Sequence, residues 1–250
     1  MVVSVLPQRF FVERIAGDAV EVAVMIPPGA NPASHEPTIA QLRALHEARL
    51  VVTVGHPDFP FERAWLGALL AEAAPPAVIE ASAGVDFVPG DPHLWVSPRR
   101  ARGMARNIAA ALAELLPERR EAFEARLAAL LEEIDRLDAE LRDTLSPHKG
   151  GRFLVFHPAW GYLAADYGLE QMAVQQHGKD PDPRRLADLI REAREAGIEV
   201  IFAQPHFDPT SAEVIADEIG GRVEWLDPLA PDWPDNLRRV ARALARGAVP

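Results

Sequence analysis

Apolar and polar positions along the chain switch repeatedly between short strand-like runs and longer helical ones. Val2 to Leu6 alternates as a strand, and Phe10 to Ala16 reads as a short helix. Val20 to Ile26 is a second strand, stopped by Pro27-Pro28-Gly29. A helix is expected from Thr38 to Ala48, then a buried strand from Leu50 to Val54 ended by Gly55-His56-Pro57. Another helix covers Phe61 to Ala73, and a short strand lies near Ala77 to Ala81. A loop through His93 then leads to a helix from Pro98 to Leu115.

Residues Pro117 to Ser146 behave differently. Phe123, Leu127, Leu130, Ile134, Leu137, Leu141 and Leu145 step by fours and threes, one apolar stripe on a helix. Pro117 suits a first helical turn and Pro147 ends the run. About 29 residues at 1.5 Å each make a rod of roughly 43 Å. A coiled-coil dimer would need more than the roughly three heptads present. A single long helix laid across two lobes accounts better for the length and the stripe.

The second half repeats the alternation. Strands are expected at Arg152 to Phe156, Gln171 to Gln175, Glu199 to Ala203 and Arg222 to Leu226. Helices fall near Ala159 to Tyr167, Pro183 to Ala196 and Pro209 to Ile219, with Asp182-Pro183 and Asp208-Pro209 as start signals and Gly197 and Gly220 as stops. Such βαβ repetition implies parallel sheets with right-handed crossovers. The expected fold is α/β: two lobes, each a parallel sheet flanked by helices, joined by one long rigid helix. The expected divisions are 1–116, 117–146 and 147–250. The halves share a pattern of elements and no sequence repeat.

Composition narrows the function. The 250 residues are 48% hydrophobic, enough for a substantial core. The absence of cysteine removes thiolate metal sites, disulfides and cysteine nucleophiles together. A net charge of -11 argues against a nucleic-acid partner. No apolar run reaches the roughly 20 residues that span a bilayer. Nor does a basic, apolar leader open the chain; if the protein is exported, its signal segment is absent from this sequence.

The chemistry collects in loops. Histidines stand in Asn31-Pro-Ala-Ser-His35-Glu36-Pro37, Asp91-Pro-His93-Leu-Trp95, Val155-Phe-His157-Pro-Ala-Trp160 and Gln176-His177, and a carboxylate in Trp225-Leu-Asp227-Pro228. These loops read as the carboxyl ends of strands, where open parallel sheets bind ligands. Imidazoles and a carboxylate converging from separate loops suit a borderline-soft divalent cation such as zinc. His93, beside Trp95, and His157, directly after an apolar strand, are the favoured ligands. Asp227 competes with a plain Asp-Pro turn. His46 on a helix, His148 in a polar linker and His56 between Gly55 and two prolines read as structural or surface residues. Glu36 and Glu62 are further oxygen donors, each better explained as a helix N-terminal charge.

Taken together, the chain resembles the solute-binding proteins of bacterial zinc and manganese ABC transporters, the ZnuA/TroA-like family. The resemblance runs through Ser4-Val-Leu-Pro-Gln8, Ile15-Ala-Gly-Asp18, Pro27-Pro-Gly-Ala-Asn-Pro32 and Glu36-Pro-Thr38. It continues in Asp91-Pro-His-Leu-Trp-Val-Ser-Pro98, Phe156-His-Pro-Ala-Trp-Gly-Tyr-Leu163, Phe202-Ala-Gln-Pro-His-Phe-Asp-Pro209 and Leu226-Asp-Pro-Leu229. The resemblance implies two α/β lobes that bind one metal ion between them and hand it to a membrane permease. His93, His157 and Asp227 fall on family ligand positions, and a histidine at 157 is what zinc-type members have, where manganese-type members tend to have glutamate.

The sequence departs from the family at Ala33, where the pattern Asn-Pro-His-x-x-Glu-Pro has histidine. His35 comes two residues later, a displacement of several ångströms if the loop is extended. The expected site is therefore His35, His93, His157 and Asp227, with His177 in reserve, Zn2+ as the cargo and Mn2+ as the alternative. His206 stands where the family commonly has glutamine. Binding needs neutral imidazoles and should weaken as pH falls through about 6. The implied protein is an exported monomer, periplasmic or anchored at the cell surface, and not an enzyme: it has neither a His-Glu-x-x-His helix nor a Gly-x-Ser-x-Gly elbow. The rival readings are a zinc-dependent hydrolase or chelatase-like enzyme, a manganese or iron receptor, and an adhesion protein that has lost its metal.

Overall fold

Eight short strands build two separate four-stranded sheets, every pairing parallel, in a computed structural model that describes residues 1–67, 76–175 and 181–249. The first sheet contains β1 (Val2–Val3), β2 (Ala23–Val24), β3 (Leu50–Thr53) and β4 (Ala77–Glu80), in the order β2-β1-β3-β4. The second contains β5 (Arg152–Val155), β6 (Glu170–Ala173), β7 (Val200–Ala203) and β8 (Arg222–Trp225), in the order β6-β5-β7-β8. The two orders are the same topology written twice. In each, the chain steps outward one way, then returns to the other side of its first strand. The crevice at that reversal lies between β1 and β3 in one sheet and between β5 and β7 in the other, the place where open α/β sheets take ligands.

The helices are α1 (Leu6–Ala16), α2 (Ile39–Glu47), α3 (Pro98–Leu115), α4 (Arg120–Leu145), α5 (Gly161–Tyr167), α6 (Pro183–Glu195), α7 (Pro209–Ile219) and α8 (Trp233–Gly247). Among the described residues no helix is long and apolar enough to cross a membrane. The chain divides into two compact units, Met1–Arg136 with Leu229–Trp233, and Leu137–Pro228 with Pro234–Pro250. The expected long helix is present as α4, extended by one 3-10 turn at each end, Pro117–Arg119 and Ser146–His148. Its stripe is buried at Phe123, Leu130, Ile134, Leu137, Leu141 and Leu145. Within the first unit, α4 is tied down by Arg14–Glu133 and Arg102–Asp135 ion pairs and by Arg126 donating to the Ala16 carbonyl at 2.7 Å. Within the second, its Asp138 accepts from the Tyr167 hydroxyl at 2.8 Å and its Glu140 from Arg238 at 2.6 Å.

Four elements differ from expectation, the second strand among them, which is expected over Val20–Ile26 and runs only over Ala23–Val24. The first strand is shorter and α1 begins at Leu6, because the Gln8 side chain folds back and its Oε1 accepts from the backbone N–H of Ser4 (2.9 Å) and Val5 (3.1 Å). Those two donors are spent on a helix cap, so the ladder stops. The expected helix from Phe61 to Ala73 is described only to Gly67, where Glu62–Leu66 is wound as a π-helix; residues 68–75 lie outside the described residues. The last helix, α8, was not among the expected elements. It buries Trp233, Leu237, Val240, Ala241 and Leu244.

The β1/β3 crevice of the first unit is filled by a side chain. Glu62 Oε1 accepts from the Ser4 hydroxyl (2.5 Å) and the Val54 N–H (2.6 Å), and its Oε2 from the Gly55 N–H (3.0 Å). Gly55 has φ +78°, and a Cβ there would stand 2.5 Å from the Glu80 Cβ, so the turn that aims its N–H at Glu62 requires glycine. Burial pushes the Glu62 carboxyl above its ordinary value of 4.5, against the opposing pull of the Ser4, Gly55 and Val54 donors. A folded-state value that is raised means the native protein holds the proton more tightly than the unfolded chain. That contribution to stability is complete below 4.5 and is lost as pH rises through the raised value. Glu62→Gln points an NH2 group at one of three N–H or O–H donors and should cost about 1–3 kcal/mol in urea unfolding. It should also flatten the fall in stability above the ordinary carboxyl range; a variant as stable as the parent, with the same pH slope, would remove Glu62 from this role.

Candidate metal centre

His93 follows Asp91-Pro92 and opens the 3-10 turn Leu94–Val96 that leads into α3. One oxygen of Asp91 accepts from both the His93 backbone N–H (3.0 Å) and the ring Nδ1 (2.8 Å). The residue is therefore held at two points, and the proton on Nδ1 leaves the lone pair on Nε2. The ring is 12% exposed and meets the edge of Trp95 at 5.5 Å between centroids. Trp95 is itself buried against Phe59, and its carbonyl accepts from the Trp233 indole N–H at 2.7 Å. The loop carrying His93 thus rests on a rigid aromatic floor.

His157 stands one residue beyond the last ladder bond at the end of β5, where Phe156 N–H donates to the Phe202 carbonyl at 2.8 Å. It sits at the β5/β7 crevice. Its Nδ1 lies 3.1 Å from Gln175 Oε1, and its own carbonyl accepts from Gln204 Nε2 at 3.0 Å. Here too the engaged Nδ1 puts the ring lone pair on Nε2. The Phe207 ring lies 5.3 Å away at 33°. Asp227 is placed in the same way at the end of β8, one residue beyond the Leu226 N–H bond to the Ala203 carbonyl (2.9 Å). Its backbone carbonyl accepts from Asn236 Nδ2 at 2.7 Å, which anchors the turn to α8.

The loop of His35 is not extended. Asn31 O accepts from the Ser34 N–H (3.1 Å) and the His35 N–H (2.8 Å), and Asn31 Oδ1 from the Ala33 N–H (2.9 Å), so residues 31–35 form one tight turn. Two residues around a helical turn is a rotation of about 200°. Ala33 accordingly faces solvent, while His35 is half-buried with its ring stacked against Phe61 at 6.0 Å. The imidazole at 35 turns inward where the side chain at 33 turns out.

The remaining candidates fall away or stand apart. His56 is buried, its Nε2 donating to the Val88 carbonyl (3.2 Å) and its Nδ1 accepting from the Asp58 N–H (3.1 Å), which uses both nitrogens in the fold. Glu62 is spent on the crevice described above, and Glu36 is exposed. His46 is exposed on α2, His148 lies in the 3-10 turn after α4, and His206 packs on Phe207 at 4.7 Å. His177 lies outside the described residues. Among the described residues, neither unit alone groups three His, Asp or Glu side chains closely enough to hold a metal ion. The sequence did not single out Asp91, Gln175 or Gln204. For Asp91 the signal was available, since an Asp two residues before a histidine can reach its ring. For the two glutamines the signal is only their place at neighbouring strand ends.

The description "zinc-uptake complex component A periplasmic", the ZnuA family, matches residues 1–247. The zinc-binding lipoprotein AdcA of Streptococcus pneumoniae is 28% identical over 92% of this chain and 50% of its own, so the chain spans about half the length of that relative. The high-affinity zinc uptake system protein ZnuA of Bacillus subtilis is 27% identical over 92% of this chain and 78% of its own. A crystal structure of a ZnuA deletion mutant with zinc bound superposes with a TM-score of 0.93 at 41% identity, covering 100% of this chain and 97% of that one. With a match that spans nearly every residue, the chain belongs to the ZnuA family of zinc-uptake components.

Proposed function

We propose that this chain is the extracytoplasmic receptor of a zinc importer, capturing one Zn2+ and passing it to an ABC-transporter permease. The carrying observation is that His93 and His157, at the carboxyl edges of two different sheets, each have Nδ1 held by an acceptor, which puts the ring lone pair on Nε2. His35 and Asp227, also in loops beside the sheets, complete the set. Three imidazoles and one carboxylate close a tetrahedron around zinc with no position for an activated water, which favours capture over hydrolysis. Three nitrogen donors also favour zinc over manganese by softness. The zinc-binding relatives support the same cargo and a periplasmic or surface-anchored location. The receptor acts as a monomer and has no nucleic-acid partner.

Chelator-stripped protein, reloaded and analysed for metal, should hold one zinc per chain and retain it against excess manganese. Preferential retention of manganese would reassign the cargo. His93→Ala and His157→Ala should each weaken zinc binding by more than the roughly 10–100-fold typical of losing an outer hydrogen-bond partner, with circular dichroism unchanged. Asp91→Ala should fall within that 10–100-fold range. His56→Ala is the contrast: zinc affinity should hold while stability drops by about 1–3 kcal/mol, because the Asp58 N–H loses its acceptor and the Val88 carbonyl loses one of its two donors, keeping the Asp91 N–H. Unchanged titration calorimetry in both the His93 and His157 variants would refute the site.

A further inference from the structure

We propose that Gln41 is the positioning residue of His35, and that His35, unlike His93 and His157, meets the metal through Nδ1. The inference rests on the receptor reading above and assigns a different donor atom to one of its ligands.

The argument begins with the Gln41 amide. Its Nε2 donates to the carbonyls of Val24 (3.1 Å) and Met25 (2.7 Å), at the end of β2. Two carbonyl acceptors fix which end of the amide is the NH2, so the other end is an oxygen that can only accept. That oxygen receives the Thr38 N–H at 2.9 Å and the Thr38 hydroxyl at 3.1 Å, and it faces His35 Nε2 at 3.4 Å. The last contact is the longest of the three, yet its sense is unambiguous. A ring nitrogen opposite an acceptor-only oxygen carries the proton. In a neutral imidazole the lone pair is then on Nδ1. Phe61, stacked on the ring, restrains it from turning over.

The other two histidines have the opposite arrangement. Asp91 and Gln175 engage Nδ1 at 2.8 and 3.1 Å, which leaves Nε2. Nδ1 is bonded to the ring carbon that carries Cβ, whereas Nε2 is at the far end of the ring. His35 would therefore hold the ion closer to its own backbone than its two partners do. The tight turn that brings residue 35 inward, in place of residue 33, is compatible with a ligand atom of that shorter reach.

The test is long-range 1H–15N correlation NMR on histidine-labelled, chelator-stripped protein, before and after one equivalent of zinc. Single His→Ala variants supply the assignments. The expected result is an Nε2–H tautomer for metal-free His35, with zinc then shifting Nδ1 of His35 and Nε2 of His93 and His157. An Nδ1–H tautomer at His35, or a zinc-induced shift at its Nε2, overturns the proposal. If His35 does not respond to zinc while His93 and His157 do, the proposal falls and the receptor reading stands. If none of the three responds, the receptor reading itself falls. In Gln41→Met, metal-free His35 should populate both tautomers and zinc affinity should drop by about tenfold, with the His93 signals in place. An unchanged tautomer ratio in a folded Gln41→Met protein removes Gln41 from the role.

Discussion

A neutral imidazole has one lone pair to give, and whatever touches its other nitrogen decides where that lone pair points. The candidate site depends on this constraint. Asp91 and Gln175 settle the question for His93 and His157 while the protein folds, through bonds made inside one loop or between neighbouring strand ends. A histidine free to spin would surrender side-chain entropy at the moment of binding; one already held surrenders it on folding. The Trp95 floor beneath His93 and the Phe207 ring beside His157 serve the same end.

The two sheets show how one topology can be put to two uses. Each reverses strand order at its second position, so each has a crevice at the carboxyl end of its first strand. In the second unit the crevice presents His157, with Gln204 bridging from β7 to its carbonyl. In the first unit the same place is closed by Glu62, whose carboxylate gathers donors from the ends of β1 and β3. The candidate ligands of that unit stand instead on flanking loops, His35 ahead of α2 and His93 ahead of α3. A buried carboxylate with three donors is a sound structural plug. It also explains why a glutamate near the strand ends need not be a metal ligand.

Much of this was legible in the sequence. Hydrophobic periodicity placed the long helix to within a few residues, because its stripe of Phe123 to Leu145 has no competing period. In the second half, Asp-Pro starts and glycine stops bracket the helices, which left the apolar runs between and before them to be read as strands. The start of α1 was hidden, since its cap is a glutamine side chain reaching back rather than a Ser, Thr, Asp or Asn at the boundary. The last helix carried an apolar stripe and Pro234 near its start, yet it follows the final strand and no βαβ pattern demanded it. The turn at 31–35 was hidden for a different reason. Asn-Pro-Ala-Ser is compatible with an extended loop, and only the Asn31 carbonyl and side chain, bonding three successive N–H groups, show that it closes.

Glutamine shows why the rest escaped. Loops at strand ends leave both N–H and C=O groups without ladder partners, and a buried group of either kind is costly if left alone. A side-chain amide can donate at one end and accept at the other, without the desolvation that a buried charge would bring. Each glutamine among the described residues uses at least one end of its amide on such a group or on a histidine ring, and Gln41 uses both. Gln8 caps Ser4 and Val5, Gln41 takes the Val24 and Met25 carbonyls, and Gln171 accepts from the Trp160 N–H. Gln175 and Gln204 together hold the ring and the carbonyl of His157. None of these residues has a motif, because the demand for them arises only once strands distant in sequence end side by side. Candidate metal ligands can be recognised by residue type, but the side chains that aim them are defined by the sheet.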